Sequence, residues 1–181
     1  PLLRSDYQMK KDADKSEGAQ GQTYGLSFWL PFYGGGSRSH DPYGYRSLYM
    51  PSFGMIAAPL PVSKKAYDEF RIVAPHMIEG DYYPLTPYNR APDQWIAWQF
   101  HSAADNAGVI QAFRRAEAGS AEVPVRLRGL DPAALYTLRN LETAESREAG
   151  GAELMSGEFG LELPSPRSAG VWQYDALADS P

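Results

Sequence analysis

The sequence predicts an α/β plus all-β chain: the C-terminal third of a (β/α)8 TIM barrel over residues 1–80, then a small antiparallel β-sandwich domain over residues 81–181. Three observations predict it. The first part holds two nearly uncharged segments and one long helical pattern. The second part holds short alternating runs separated by turn residues. Tyrosine usage also shifts, with ten of the twelve tyrosines before residue 90. A complete barrel needs about 250 residues, so two strands, the stub of a third and one helix can only be its final portion.

Taken in order, Leu2-Leu3 reads as a strand stub ending on Ser5-Asp6. Residues 8–21 are polar and glycine-ended, a surface loop by composition. Thr23 to Leu30 is almost free of charge, as a strand buried on both faces would be, and Pro31 ends it. Gly34 to Gly44 then reads as a flexible loop rimmed by aromatic rings, and Tyr45 to Ala58 as a second buried strand interrupted at Pro51 and Gly54. Ala66, Phe70, Val73 and Met77 recur at spacings of four, three and four, one face of a helix. Ser63 is its expected N-cap and Gly80 its terminator, with Pro75 expected to kink or end the regular part.

Beyond Asp81 the period changes to two. Ile96, Trp98 and Phe100 share one face of a strand at Trp95–His101. Trp95 falls on the opposite face; Trp98 is assigned to the sandwich core and Trp95 to packing against the barrel. Val123, Val125 and Leu127 alternate with charged or exposed positions, as do Phe159, Leu161 and Leu163. With Gly108–Arg114, Leu135–Leu141 and Ala169–Tyr174, the six short strands and their intervening turn signals are the pattern of a β-sandwich.

Composition narrows the function classes. Hydrophobic residues make up 43% and charged residues 22% of the 181, an ordinary globular balance. The net charge of −5 comes without any basic stripe, so a nucleic-acid partner has no electrostatic footprint. No apolar run reaches the roughly 18 residues of a membrane span. Without cysteine there are no disulfides, thiol nucleophiles or cysteine metal sites. His40, His76 and His101 lack ligand spacing, and neither a metal nor a cofactor is implied. Gly34-Gly-Gly36 lacks the Lys-Ser/Thr ending of a phosphate loop. The chain starts at Pro1 without an initiator methionine and shows no signal peptide. It reads as a fragment, with cytoplasmic and secreted locations both open.

Several motifs occur together in a fixed order: Pro-Leu-Leu-Arg-Ser-Asp6, Gln22-Thr-Tyr-Gly-Leu-Ser-Phe-Trp-Leu-Pro31, Tyr45-Arg-Ser47, Gly80-Asp-Tyr-Tyr-Pro-Leu-Thr-Pro-Tyr88, Trp95-Ile-Ala-Trp-Gln-Phe100, Ala112-Phe-Arg-Arg115, Leu127-Arg-Gly-Leu-Asp-Pro132 and Pro166-Arg-Ser168. The set resembles the C-terminal part of family 36 glycoside hydrolases, the α-galactosidase (melibiase-like) group, along essentially the whole chain. The resemblance implies the end of a catalytic barrel followed by a terminal β-domain, and a retaining mechanism with two aspartates. It implies that Asp6, in Ser5-Asp6, is the acid/base. The nucleophile, in a Lys-x-Asp motif, and a Gly-Gly substrate loop are both expected upstream. Tyr7 and Gln8 follow Asp6 where many members carry further Asp and Asn residues, which leaves room for an altered substrate. An α-galactoside is the implied partner, with a homo-oligomer of the full-length enzyme left open.

Asp6 after an apolar stub suits the carboxyl end of a barrel strand, where catalytic groups gather; a Ser-Asp turn is the plain alternative. Tyr24, Trp29 and Tyr33 would stack on the apolar face of a sugar, or else pack the barrel. Arg46 would bind a sugar hydroxyl or a catalytic carboxylate, or else form a structural ion pair. The fragment alone is expected to be inactive. Two other functions stay open from the residues: a non-catalytic carbohydrate-binding or structural β-sandwich module, and an α-glycosidase or transglycosylase of different sugar specificity.

Overall fold

The computed structural model of the chain describes residues 8–9, 16–30 and 32–177. Its first part alternates strands and helices. Strand β1 (Gln8–Met9) pairs parallel with β2 (Tyr33–Ser37), and β2 pairs parallel with β3 (Ser52–Met55). Helix α1 (Ser16–Leu26) connects β1 to β2, α2 (Pro42–Arg46) connects β2 to β3, and α3 (Leu60–Glu79) follows β3. Parallel neighbours need such crossovers because a tight turn cannot reverse the chain twice. The described strands make a three-stranded parallel sheet, not a closed arc of barrel.

Four expectations change here. Residues 8–21, read as a surface loop, hold β1 and the start of α1. The segment read as strand Thr23–Leu30 is the end of α1 and a turn. Its buried positions are Ala19, Gln20, Thr23 and Tyr24, a three- and four-residue spacing that polar side chains concealed. Gln20 is tolerated inside because its amide donates to Ser47 Oγ at 3.0 Å and its carbonyl accepts from Arg115 Nε at 3.2 Å. The segment read as a glycine loop contains β2 instead. Glycine is a poor strand former, yet Gly34 and Gly35 are buried within the pairing to β3, and a Cβ at Gly36 would meet chiefly the movable end of the Ile56 side chain. The segment read as one strand over Tyr45–Ala58 begins inside α2, and only Ser52–Met55 pairs.

Helix α3 buries Ala66, Val73 and Met77 as the spacing predicts. It starts three residues before Ser63, with Pro59 at the N-cap and Pro61 in the first turn, where a missing N–H costs nothing. Pro75 sits on the exposed side and the helix runs past it to Glu79. No described helix is long and apolar enough to cross a membrane.

The second part is mostly antiparallel. β4 (Asp81–Pro84), β5 (Trp95–Ser102), β6 (Ala107–Arg114), β8 (Leu135–Asn140), β9 (Ser146–Gly150) and β11 (Ser168–Ala176) form one six-stranded sheet in the order β4-β5-β6-β11-β8-β9. β7 (Glu122–Val125) and β10 (Phe159–Glu162) form a separate antiparallel pair, and α4 (Gly151–Leu154) is a single turn. Both faces of the large sheet are covered. Ile96, Trp98, Phe100, Val109 and Phe113 pack with residues of α2 and α3. Trp95, Ala97, Ile110 and Ala112 pack with Val125, Phe159 and Leu161 of the β7–β10 pair. The assigned faces of the two tryptophans are therefore exchanged. Trp98 meets the helical layer and Trp95 lies in the sandwich core, its indole N–H donating to Ser120 O at 3.1 Å.

Trp98 and Gln111 stand opposite each other on β5 and β6, both fully buried, and the indole N–H donates to Gln111 Oε1 at 2.6 Å. Gln111 Nε2 has no partner. Replacing one member strands the other, at a cost of about 1–3 kcal/mol for the orphaned group. Trp98→Phe and Gln111→Leu should each destabilise by at least that much, and the double variant by clearly less than their sum. Urea denaturation of the four proteins measures this coupling; additive losses would show that the bond contributes nothing.

Candidate functional site

In sheets of parallel βα units, ligands sit at the loops that follow the strands. The described loops on that side are 38–41 after β2 and 56–59 after β3. The first is held by its own side chains. Ser37 Oγ accepts the Ser39 N–H at 3.1 Å, Ser39 Oγ donates to Asp41 Oδ2 at 2.8 Å, and Asp41 Oδ1 accepts the Gly44 N–H at 2.9 Å as the N-cap of α2. Burial pushes the Asp41 carboxyl up, but the Gly44 N–H, the Ser39 hydroxyl and Arg167 together hold it below the usual range. Arg38 and His40 stay exposed at this end of the sheet.

The sequence-predicted residues do not converge. Asp6 lies outside the described residues. Tyr24 is a docking residue of α1: its hydroxyl donates to Thr86 O at 2.9 Å, and its ring meets Phe28, Tyr82 and Tyr88. Burial pushes the Tyr24 phenol up. Tyr33 is 1% exposed, its hydroxyl 2.6 Å from Ser27 Oγ, and burial pushes its phenol up as well. Trp29 is the reverse, 84% exposed in the turn that leads from α1 into β2. That turn is at the end where β2 begins, opposite the loops where a strand-end site forms. Tyr24 and Tyr33 thus pack the core, and Trp29 sits at the far end of the sheet.

Arg46 is 1% exposed, beyond the reach of a sugar hydroxyl. Nε and Nη2 donate to Glu69 of α3 at 2.8 and 2.6 Å, Nη2 also to Glu142 of the β8–β9 turn at 2.5 Å, and Nη1 to Ala169 O of β11 at 2.7 Å. Lys65 adds a second cation on Glu142 at 2.6 Å. Burial opposes the charge, but the paired carboxylates overcome it and raise the guanidinium above its ordinary value. The ion-pair alternative is the one the geometry supports. One signal for its partner was readable: Glu69 lies on the apolar stripe of α3, where an acid needs a cation.

A second polar cluster lies inside the sandwich. Gln99 accepts the Arg128 N–H and donates to Arg128 O, both at 2.9 Å, imitating a strand partner. Its amide also donates to the Tyr174 hydroxyl at 2.7 Å, and that hydroxyl is 3.0 Å from His101 Nδ1. His101 Nε2 is buried without a partner, and burial pulls the ring below its ordinary value of 6.5. Among the described residues no group of three acids and histidines could hold a metal ion.

The six-stranded sheet apart from β4, with its β7–β10 cover, is also the part of the chain that matches a family model. Residues 95–177 match the glycosyl hydrolase family 36 C-terminal domain. Some nine-tenths of the chain shares its fold with solved structures of larger proteins. One is the galactosidase domain of the α-galactosidase-sucrose kinase AgaSK, at TM-score 0.71 and 22% identity over 90% of this chain. Another is the family 36 α-galactosidase AgaB from Geobacillus stearothermophilus, at 0.70 and 19% over 93%. A third is the α-galactosidase from Lactobacillus brevis, at 0.71 and 13% over 92%. The chain spans 25% of the length of each. Variants of a further Geobacillus stearothermophilus enzyme, AgaA, were solved with raffinose and with stachyose. Curated protein sequences give no match.

Two predictions follow from the buried polar groups. Arg46→Met leaves Glu69 buried without its cation and should cost about 3–5 kcal/mol by denaturant unfolding, with Glu69→Leu added to it restoring part of the loss. His101 and half-buried His76 both lie below their ordinary value of 6.5 when folded, chiefly through burial. The unfolded chain takes up these protons first, so their contribution to stability is complete above 6.5 and is lost as pH falls through the lowered folded values. The urea midpoint should drop between about pH 7 and about pH 5, and His76→Gln/His101→Gln should flatten that slope.

Proposed function

We propose that this chain is the C-terminal portion of a retaining hydrolase of terminal α-galactosides. In this reading residues 1–80 supply the last βα units of a (β/α)8 barrel and residues 81–181 the terminal β-domain. The observation that carries it is the family 36 C-terminal domain at 95–177. The parallel β1-α1-β2-α2-β3-α3 succession before it supports the reading, because it is the repeat from which such barrels are built. The fold likeness to α-galactosidases over some nine-tenths of the chain supports it too.

Asp6 acts in this reading as general acid and then general base. A second carboxylate, about 5–5.5 Å away in retaining enzymes, attacks the anomeric carbon while Asp6 protonates the departing glycosidic oxygen. Asp6 then takes a proton from water as that water displaces the sugar from the nucleophile. The nucleophile comes from a strand outside this chain. Arg38 and His40, on the carboxyl side of β2, take over the hydroxyl-binding role expected of Arg46. The β-domain braces the helices behind the site.

The deciding measurement is Asp6→Asn in the enzyme that carries this chain. Turnover of raffinose should fall by roughly 10²–10⁴, and an aryl galactoside with an acidic leaving group should be cleaved with a much smaller loss in the first step. Raffinose turnover within a few-fold of the parent would refute the assignment.

A further inference from the structure

Between β10 and the β8–β9 hairpin lies a groove of about 720 Å³, far in sequence from Asp6 and from the loops after β2 and β3. Its walls include Leu138 and Asn140 of β8, Arg147 of β9, Leu161 and Glu162 of β10, and Trp172 of β11. The volume falls within the range of about 300–1,000 Å³ typical of small-molecule sites.

The groove is built into the sandwich. The two-stranded cover is narrower than the six-stranded sheet beneath it, so β10 keeps a free edge beside β9. Arg147 closes one part of the gap: its Nη2 donates to Gly160 O at 3.1 Å and its guanidinium stacks over Phe159, 3.9 Å from the ring centre. Trp172 forms part of the floor at 9% exposure. The benzo edge of its indole occupies the space a Cβ would need at Gly170, so glycine is what lets the ring lie along its own strand. Its indole N–H makes no hydrogen bond to another described residue and, unlike the ring, keeps contact with solvent. Asn140, opposite Trp172 on β8, uses its carbonyl to cap the turn through the Glu142 and Thr143 N–H groups. Its amide nitrogen makes no hydrogen bond there.

The rim carries a pair of like charges. Glu122 and Glu162 stand directly opposite each other on β7 and β10; neither forms a salt bridge among the described residues, although Glu122 also faces the charge of Arg147. Like charges in that register are unfavourable, and hydroxyl donors would relieve them. Phosphates and other anions are disfavoured by the same carboxylates. A ligand for this groove must offer hydroxyl donors, acceptors for an indole N–H and an amide, and an apolar face for Trp172 and Leu161. It must also carry no negative charge.

We propose that this groove binds a neutral oligosaccharide, as a second sugar site independent of hydrolysis. Its occupancy does not depend on Asp6, so the site stands or falls separately from the hydrolase reading. The test is ¹⁹F NMR of the full 181-residue chain labelled with 5-fluorotryptophan, whose four tryptophans give four resonances, titrated with stachyose. Trp172→Phe identifies the Trp172 signal by its loss. Saturable movement of that signal, with a Kd in the millimolar range or tighter, is the expected result. Glu162→Ala changes an exposed rim residue and should weaken binding at least about fivefold, a loss of the size expected for a hydrogen bond to a charged group, with the melting temperature unchanged. No movement of the Trp172 signal would overturn the proposal. So would binding that shifts only the other tryptophans, or that ignores Glu162→Ala. Binding of oligolysine in place of stachyose would overturn it in favour of a basic peptide.

Discussion

A buried guanidinium has to be partnered from every side, and Arg46 shows what that demand does to a fold. Its donors reach α3 through Glu69, the β8–β9 turn through Glu142 and strand β11 through the Ala169 carbonyl. The helical layer and the large sheet are thereby held in one relative position by groups that cannot slide without uncovering a charge. Burying apolar surface alone would permit many orientations of α2 and α3 on the sheet. The fixed fork of the guanidinium selects one. The selectivity comes with fragility, since removing Arg46 leaves Glu69 as an unpaired charge in a dry interior.

Because helices cover one face of the sheet and the β7–β10 pair the other, its central strands lose the usual alternation. β5 and β6 are buried along nearly their whole length. That is why Trp95-Ile-Ala-Trp-Gln-Phe100 was legible as a strand but its two faces were not. Where both sides are covered, a tryptophan on either face satisfies the same pattern, and the partners of each face come from distant sequence. The outer strands kept their alternation, so Val123–Leu127 and Phe159–Leu163 were legible in both position and direction. β9 and α4 escaped notice because Ser146-Arg-Glu-Ala-Gly150 buries only Ala149 fully.

The first part was harder to read for a different reason. Its buried positions are partly polar or glycine: Gln20 and Thr23 in α1, Glu69 in α3, and Gly34 and Gly35 in β2. A hydrophobic count misses a helix whose inward face is satisfied by hydrogen bonds, and a propensity scale misses a strand built largely of glycine. Arg46 was legible as a residue that needs a partner, and Glu69 as an acid in an apolar stripe. Glu142, far away on the β8–β9 turn, carried no local sign.

Chain direction decides the reading of the aromatic run from Gln22 to Tyr33. As a strand it would deliver Trp29 to the carboxyl end of the sheet, beside any catalytic group there. As a helix followed by a turn it delivers Trp29 to the amino end of β2. The composition of the run is unchanged, yet the exposed ring moves across the length of a strand, about 3.3 Å for each of its residues. A sugar held at the carboxyl end therefore cannot stack on Trp29. In the proposed hydrolase, polar side chains from the 38–41 loop would orient it instead. The cap that Asp41 places on α2 fixes the backbone from which Arg38 and His40 project, and in that reading it would serve the site as well as the helix.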